Sequence, residues 1–448
     1  MYASLAFRYI APIVRYFANF RNRSVQQVDL AEMAREKRRS DSFVAEAGYN
    51  IASPQNKRRV YSSDEEDPYH SVSFLGQGGF GSVDEVFKRS DLSQTRYARK
   101  RFKFSRFPPS QRQELANEIV KEADIIRTLC FRHIVRLVES YTWKAQFCIV
   151  MSPVAETNLG QFLSEIDSME IGAERNKARE LVLQWPGCLI RAIDYLHEMR
   201  IKHRDIKPSN ILIKQGVVYL TDFGTSKAIA ENETTGTTGP VGPHTYAYSP
   251  PEVLSNDGAR RGRATDIFSL GCIFLEISTT LLAPPSSREA FTKLRLERTQ
   301  TLAYAHNEKT ILHWILHLWA HWSLVVRGKC TDDDYAHLGG SLPDLAFMML
   351  DPNPAQRITA RQLVAMITTP RLYYFATTNA AACSGCRVAE GFEDTNLPLH
   401  SEFKDPDDLK YAHNPSHALK ILPALDWEST KKEWLKSHMW WAEPEKSL

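Results

Sequence analysis

Ile201-Lys202-His203-Arg204-Asp205-Ile206-Lys207-Pro208-Ser209-Asn210-Ile211-Leu212-Ile213 is followed, after an apolar run over 217–220, by Thr221-Asp222-Phe223-Gly224. The pattern predicts a short loop carrying Asp205, Lys207 and Asn210, between a helix ending near Met199 and a strand at Ile211. Asp222 arrives on the far side of the next hairpin. Asp205 can take the proton of an attacking hydroxyl. Asn210 and Asp222 are oxygen ligands suited to Mg²⁺, which accepts few protein ligands alongside phosphate oxygens. Lys207 can balance charge on a group in transfer, and Gly224 supplies a hinge after the metal ligand. Chance rarely sets this many charged groups on one loop at this spacing.

Upstream, Leu75-Gly76-Gln77-Gly78-Gly79-Phe80-Gly81-Ser82-Val83 lies between two β-type runs. Gly76, Gly78 and Gly81 let backbone approach phosphates with no Cβ in the way. The spacing alone also suits a plain hairpin turn. No helix follows the third glycine, which argues against a dinucleotide-binding βαβ unit and for a hairpin flap over a nucleotide. In the next strand, alternation sets Ala98 and Lys100 on one face and Arg99 on the other. Ala98 leaves room for a flat base, and Lys100 can neutralise phosphate oxygens. A surface lysine is the alternative for that position taken alone. A helix over about 110–129 then carries Glu114, Glu118 and Glu122 beside an apolar stripe. One of these acids can hold Lys100, because an unpaired buried charge is costly.

These motifs, in this order, resemble the eukaryotic protein kinase family. The likeness runs on through Ser249-Pro250-Pro251-Glu252 and Asp266-Ile267-Phe268-Ser269-Leu270-Gly271 to Arg357, and covers about residues 70–370. It implies an α+β, two-lobed fold: a small antiparallel β-sheet lobe with one helix, and a larger, mainly helical lobe. It also implies ATP and Mg²⁺, with Lys100 on the α- and β-phosphates and paired to Glu122, Glu118 being the runner-up. Met151 would guard the adenine pocket, and Ser152 and Val154 would offer backbone groups to adenine. Asp205 would be the catalytic base, Lys207 the phosphoryl-stabilising lysine, and Asn210 and Asp222 the metal ligands. Glu252 and Arg357 resemble the family's buried ion pair, and Asp266 the aspartate that anchors the catalytic loop. Asp205-x-Lys207-x-x-Asn210 together with Thr245 resembles the serine/threonine branch, and several local runs look most like kinases of filamentous fungi. Arg204, directly before Asp205, marks family members whose activation segment is pinned by a phosphate, with Thr237 and Thr238 the preferred sites. Arg99 stands where the family usually has an apolar residue, and Pro250 where it has alanine.

The 448 residues divide by composition into an extension over 1–68, the kinase-like region over 69–370 (lobes 69–155 and 156–370) and a tail over 371–448. The extension ends in the acidic cluster Ser62-Ser63-Asp64-Glu65-Glu66-Asp67, read as a solvated linker. A net charge of +3 gives no bulk electrostatic footprint for nucleic acid. Seven sparse cysteines suit reduced thiols in an intracellular protein, cytoplasmic or nuclear. The Arg-bearing start, Met1 to Val28, leaves mitochondrial targeting as the minor alternative. The uncharged run Ile311 to Val326 is interrupted by three histidines, so no transmembrane segment is expected. His313, His317 and His321, at helical spacing, and Cys383-Ser384-Gly385-Cys386 both tempt a metal reading. The first reads better as the polar edge of a helix. The second lacks another cysteine pair and reads better as a tail turn with free thiols. Trp427, Trp434 and Trp441 form one stripe if helical, fit to dock on the body of the same chain or on a partner. The expected partner is a protein bearing a serine or threonine acceptor. A catalytically silent scaffold is the rival reading.

Overall fold

The computed structural model describes residues 59–61, 66–78, 81–103, 109–144, 146–223, 227–228, 246–255, 262–326, 342–368, 383, 386 and 427. Six strands build the first sheet: β1 (Arg59–Val60), β2 (Tyr69–Gly78), β3 (Gly81–Lys88), β4 (Arg96–Lys103), β5 (Arg136–Trp143) and β6 (Gln146–Ser152). Their order is β1-β5-β6-β4-β3-β2. Neighbours are antiparallel except at the edge, where β1 runs parallel to β5. β6 lies between β5 and β4, and its residues Phe147 to Met151 are all buried, as a strand covered on both faces requires.

Both faces are covered by different means. Phe102, Phe147, Ile149 and Met151 pack toward helix α1 (Pro109–Thr128), which presents Ile119, Ala123 and Ile126. Tyr69, Val86, Tyr141, Cys148 and Val150 form a separate cluster on the other face. Arg99 points there too, almost fully enclosed. It donates to Asp84 and Asp67 and, at 3.0 Å, to the Tyr141 hydroxyl. Asp67, read from sequence as part of a solvated linker, is instead held by this guanidinium and accepts the Tyr141 hydroxyl at 2.9 Å. The acidic run had no visible partner in its own neighbourhood, and the partner arrives from a strand 32 residues away.

The second lobe begins with β7 (Thr157–Asn158) and helices α2 (Leu159–Ser168), α3 (Ala173–Leu183) and α4 (Pro186–Glu198). The Asn158 side chain caps α2 by accepting the Gln161 N–H at 3.1 Å. Strand β8 (Ile201–Lys202) leads into the loop of interest, and β9 (Ile211–Lys214) and β10 (Val217–Leu220) form the hairpin behind it. After β11 (Lys227–Ala228), which pairs with β8, come α5 (Pro251–Leu254), α6 (Arg263–Leu282), α7 (Ser287–Thr299), α8 (Glu308–Val326), α9 (Leu342–Met349) and α10 (Ala360–Thr368).

Among the described residues α6 is the one helix long and apolar enough to cross a membrane, and its residues Thr265 to Leu282 are all buried among the other elements. It tolerates Ser278, Thr279 and Thr280 because their hydroxyls donate to the carbonyls of Phe274, Leu275 and Glu276, one turn back. A Cβ on Gly271 would meet the Met349 Cβ at 2.8 Å, so this glycine lets α6 and α9 approach closely. The apolar run in α8 is core as well: Ile311, Leu312, Trp314, Ile315 and Leu318 are buried. His317 lies against Trp314 at 5.2 Å, and the His321 side chain is outside the described residues. Trp427 stacks on Phe347 at 4.8 Å, while Trp434 and Trp441 lie outside the described residues.

Candidate active site

Lys100 reaches the site from the inner face of β4, where it pairs with Val83 on one side and Ile149 on the other. Its Nζ lies 3.0 Å from Glu122 Oε1 and 2.8 Å from Asp222 Oδ1. Glu122 is therefore the lysine's partner on α1; it is buried because it shares the face with Ile119, Ala123 and Ile126. Burial penalises the Lys100 ammonium, but the two carboxylates outweigh it and hold its pKa above the ordinary lysine value. Burial likewise penalises the Asp222 carboxylate, and Lys100 overrides it and keeps Asp222 below the usual carboxylate range. Glu122, enclosed more deeply, is pushed up by desolvation.

Asp205 stands on the loop after β8. Its Oδ2 accepts Lys207 Nζ at 2.7 Å and Asn210 Nδ2 at 2.9 Å. Asn210 also donates Nδ2 to the Asp205 carbonyl at 2.8 Å, so the loop closes on itself. That commits the Asn210 amide nitrogen to Asp205 and leaves the carbonyl oxygen as the atom a hard cation would use. Asn210 accepts the Thr221 N–H at 3.0 Å through its own backbone, which ties the loop to the residue before Asp222.

Two residues of the site have left-handed backbone, Arg204 (φ 68°) and Asp222 (φ 66°). Such conformations cost energy outside glycine and persist where surroundings impose them. Asp266, at the start of α6, imposes the first. Its Oδ1 accepts the Arg204 N–H at 2.7 Å, and its Oδ2 accepts the His203 N–H at 3.0 Å and His197 Nε2 at 2.9 Å. Burial raises the pKa of this carboxyl, but the His197 bond and the charges and amides around it more than offset that and hold it low.

Two histidines complete the frame without having been assigned roles from sequence. His203 accepts the Asp205 N–H at Nδ1 (3.4 Å), and its Nε2 bonds the Thr221 carbonyl (3.0 Å). Its ring lies 4.8 Å from the buried Phe223 ring, so it bridges the two loops that carry the charged groups. It stood inside the decisive stretch, where a role could have been sought. His197 carried no such signal, because its partner is 69 residues away.

The glycine loop is the β2–β3 hairpin, with Gly76 opposite Val83, Gln77 opposite Ser82 and Gly78 opposite Gly81. Gly79 and Phe80 lie outside the described residues. Gly81 has a reason to lack a Cβ besides phosphate approach: that atom would sit 1.9 Å from the Arg101 carbonyl oxygen on β4. Leu75 is exposed on β2. Ala98 pairs with Met151 across β4 and β6, and both are buried on the inner face. Ser152 ends β6, and Val154 follows in the connection to β7. In the second lobe, Arg357 grips Glu252 through two bonds, Nη1 to Oε1 at 2.7 Å and Nη2 to Oε2 at 3.0 Å. Thr245 and the segment 229–245 lie outside the described residues.

The family model for the protein kinase domain matches residues 69–367. The chain belongs to the protein kinase family. Curated relatives support a serine/threonine kinase likeness at about 30% identity. "Cyclin-dependent kinase-like 5" of Homo sapiens is 31% identical over 211 residues, 47% of this chain and 20% of that protein. "Serine/threonine-protein kinase TIO" of Arabidopsis thaliana is 32% identical over 215 residues, 47% of this chain and 14% of that protein. "Cell division control protein 2 homolog 2" of Trypanosoma brucei brucei is 29% identical over 302 residues, 66% of this chain and 80% of that protein. The chain thus spans a minor part of the first two and most of the third. None of the three is a fungal protein.

Proposed function

We propose that this kinase transfers the γ-phosphoryl group of ATP, with Mg²⁺, to serine or threonine hydroxyls of a protein substrate. The observation that carries the reading is Lys100 bonded to both Glu122 and Asp222 while Asp205 is held by Lys207 and Asn210. Family enzymes need the lysine–glutamate pair and the metal-binding aspartate in place together for phosphoryl transfer. The donor set fits the metal: one carboxylate and one amide oxygen, both hard ligands. Asn210 and Asp222 would hold Mg²⁺, whose charge would neutralise phosphate oxygens. Asp205 would accept the proton of the incoming hydroxyl, Lys207 would balance charge on the phosphoryl group, and Lys100 would orient the α- and β-phosphates.

Regulation through the segment between Asp222 and Glu252 extends the proposal. A phosphate on Thr237 or Thr238 would bring about two negative charges and three acceptor oxygens to Arg204. Asn158 and Ser209 stand where acids in matching kinases would select arginine upstream of the target, so weak basophilic preference is expected. The sparse cysteines support an intracellular setting, and the tryptophan-bearing tail supports docking on the same chain or on a partner. A radiolabelled autophosphorylation assay of wild type against Asp205→Ala tests the central reading. Incorporation by wild type that Asp205→Ala loses supports it. Absent incorporation, on protein substrates as well, favours the silent scaffold, and equal incorporation removes Asp205 from the role of base.

A further inference from the structure

Four ligand-bearing side chains converge beside β10, from three distant parts of the chain. They are His133 in the loop after α1, Cys188 in α4, and Cys383 and Cys386 of the tail. Their ligand atoms all lie within 4.8 Å of one another. We propose that this cluster is a structural zinc site of the three-cysteine, one-histidine type, which clips the tail to the back of the kinase domain.

The geometry is close to what zinc demands. Tetrahedral Zn²⁺ with ordinary Zn–S and Zn–N bond lengths sets neighbouring ligand atoms about 3.6–3.8 Å apart. His133 Nε2 lies 3.1 Å from Cys386 Sγ and 3.5 Å from Cys383 Sγ. The histidine is also prepared as a ligand. Its Nδ1 bonds the Val218 carbonyl at 2.9 Å, which fixes the proton there and turns the Nε2 lone pair toward the sulfurs. His133, Cys188 and Cys386 are buried, and Cys383 forms the half-buried side. Three thiolates and one imidazole select zinc over hard cations, which prefer oxygen ligands. Three thiolates with Zn²⁺ leave one negative charge, and the Arg132 guanidinium stands 3.8 Å from Cys383 Sγ to offset it.

Cys383-Ser384-Gly385-Cys386, expected from sequence to be a tail turn with free thiols, is here part of a four-ligand cluster. That stretch lacked a second cysteine pair, and the completing ligands come instead from Cys188 and His133, 195 and 250 residues away. The attachment point is already firm. The His133 carbonyl accepts the Leu220 N–H at 2.8 Å, and Phe131 stacks on Tyr195 of α4 at 4.8 Å. A metal here would pin the tail where the loop after α1 meets α4.

The test needs no kinase activity, so it stands apart from the function proposed above. The full-length chain, purified without chelator, is weighed by native mass spectrometry and assayed for zinc by elemental analysis. One zinc per chain is expected in wild type and in Cys130→Ser, whose thiol is exposed and outside the cluster. At least a tenfold loss is expected in the Cys383→Ser/Cys386→Ser double variant. Cobalt-exchanged wild type should show the intense visible bands of tetrahedral thiolate-bound Co²⁺, a readout that does not depend on any variant folding. A chain that stays zinc-free when Zn²⁺ is supplied overturns the site. So does zinc that persists in the double variant, or a denatured mass showing Cys383 and Cys386 joined as a disulfide.

Discussion

Arg99 donates two hydrogen bonds to the Asp84 carboxylate, Nε to Oδ1 at 3.1 Å and Nη2 to Oδ2 at 2.7 Å, with both side chains enclosed. The strand that offers Lys100 to the site thus fastens its opposite face with the preceding residue. Removing one partner of a buried pair leaves the other charge uncompensated and costs about 3–5 kcal/mol. Arg99→Met should lose stability toward the lower end of that scale in urea unfolding, because Asp67 loses its guanidinium while Asp84 keeps Arg101 Nη2 at 3.4 Å. Adding Asp84→Leu should restore part of the loss. Below the unfolding transition, kcat should stay near wild type, since Lys100 faces the other way.

A second prediction concerns Lys100 and its two carboxylates. Lys100→Met removes the phosphate-orienting charge, and Asp222→Ala removes a metal ligand. Each should cut kcat by orders of magnitude with the circular dichroism spectrum unchanged. Glu122→Gln keeps a hydrogen-bond partner for Lys100 and loses only the charge, so its loss should be smaller. Steady-state kinetics on the three variants would give that order, and a near wild-type rate in either of the first two would remove these residues from the site.

Most of the active site was legible because its charged groups are spaced within single short stretches, and loop and hairpin geometry converts that spacing into proximity. Asp205, Lys207 and Asn210 are of this kind. The choice among Glu114, Glu118 and Glu122 was harder, since all three share one helical stripe and only packing against the sheet decides which turns inward. The partners of Arg99 were not legible at all. Strand alternation tells which face a residue takes, but not that Tyr69, Tyr141 and Asp67 cover that face. The cysteine cluster was half visible: Cys383 and Cys386 stand at ligand spacing in the chain, but Cys188 and His133 reach them by tertiary contact alone.

The bidentate grip of Arg357 on Glu252 invites a third test. Arg357 also donates Nε to the Asp351 carbonyl at 2.9 Å and Nη1 to the Ala264 carbonyl at 2.8 Å, so one guanidinium joins α5, α6 and the turn before α10. Lysine has no planar fork and cannot make these bonds together. Arg357→Lys should therefore lower the thermal midpoint despite keeping the charge, and Arg357→Leu should lower it further, since orphaning Glu252 costs about 3–5 kcal/mol of stability. Differential scanning fluorimetry would show the graded series. Equal stability of arginine and lysine proteins would mean that charge alone matters there.

The last prediction uses the Asp266 carboxylate, which accepts two backbone N–H groups of the catalytic loop and the His197 ring. Burial alone would raise its pKa, but these bonds hold the folded value below the ordinary one. The sign follows from linkage. A depressed carboxyl contributes its full stabilisation above the unfolded pKa, about 3.9, and loses it as pH falls through the folded value. Asp266→Asn can accept only with its single oxygen and turns an amide N–H₂ toward a donor. That should cost about 1–3 kcal/mol at neutral pH. It should also loosen Arg204 from its left-handed backbone, lowering kcat through the position of Asp205. Urea midpoints of wild type and Asp266→Asn, followed from pH 7 downward, should converge only as wild type is acidified below about pH 4. A gap that stays constant into that acid range would show that the carboxylate charge is not what holds the loop.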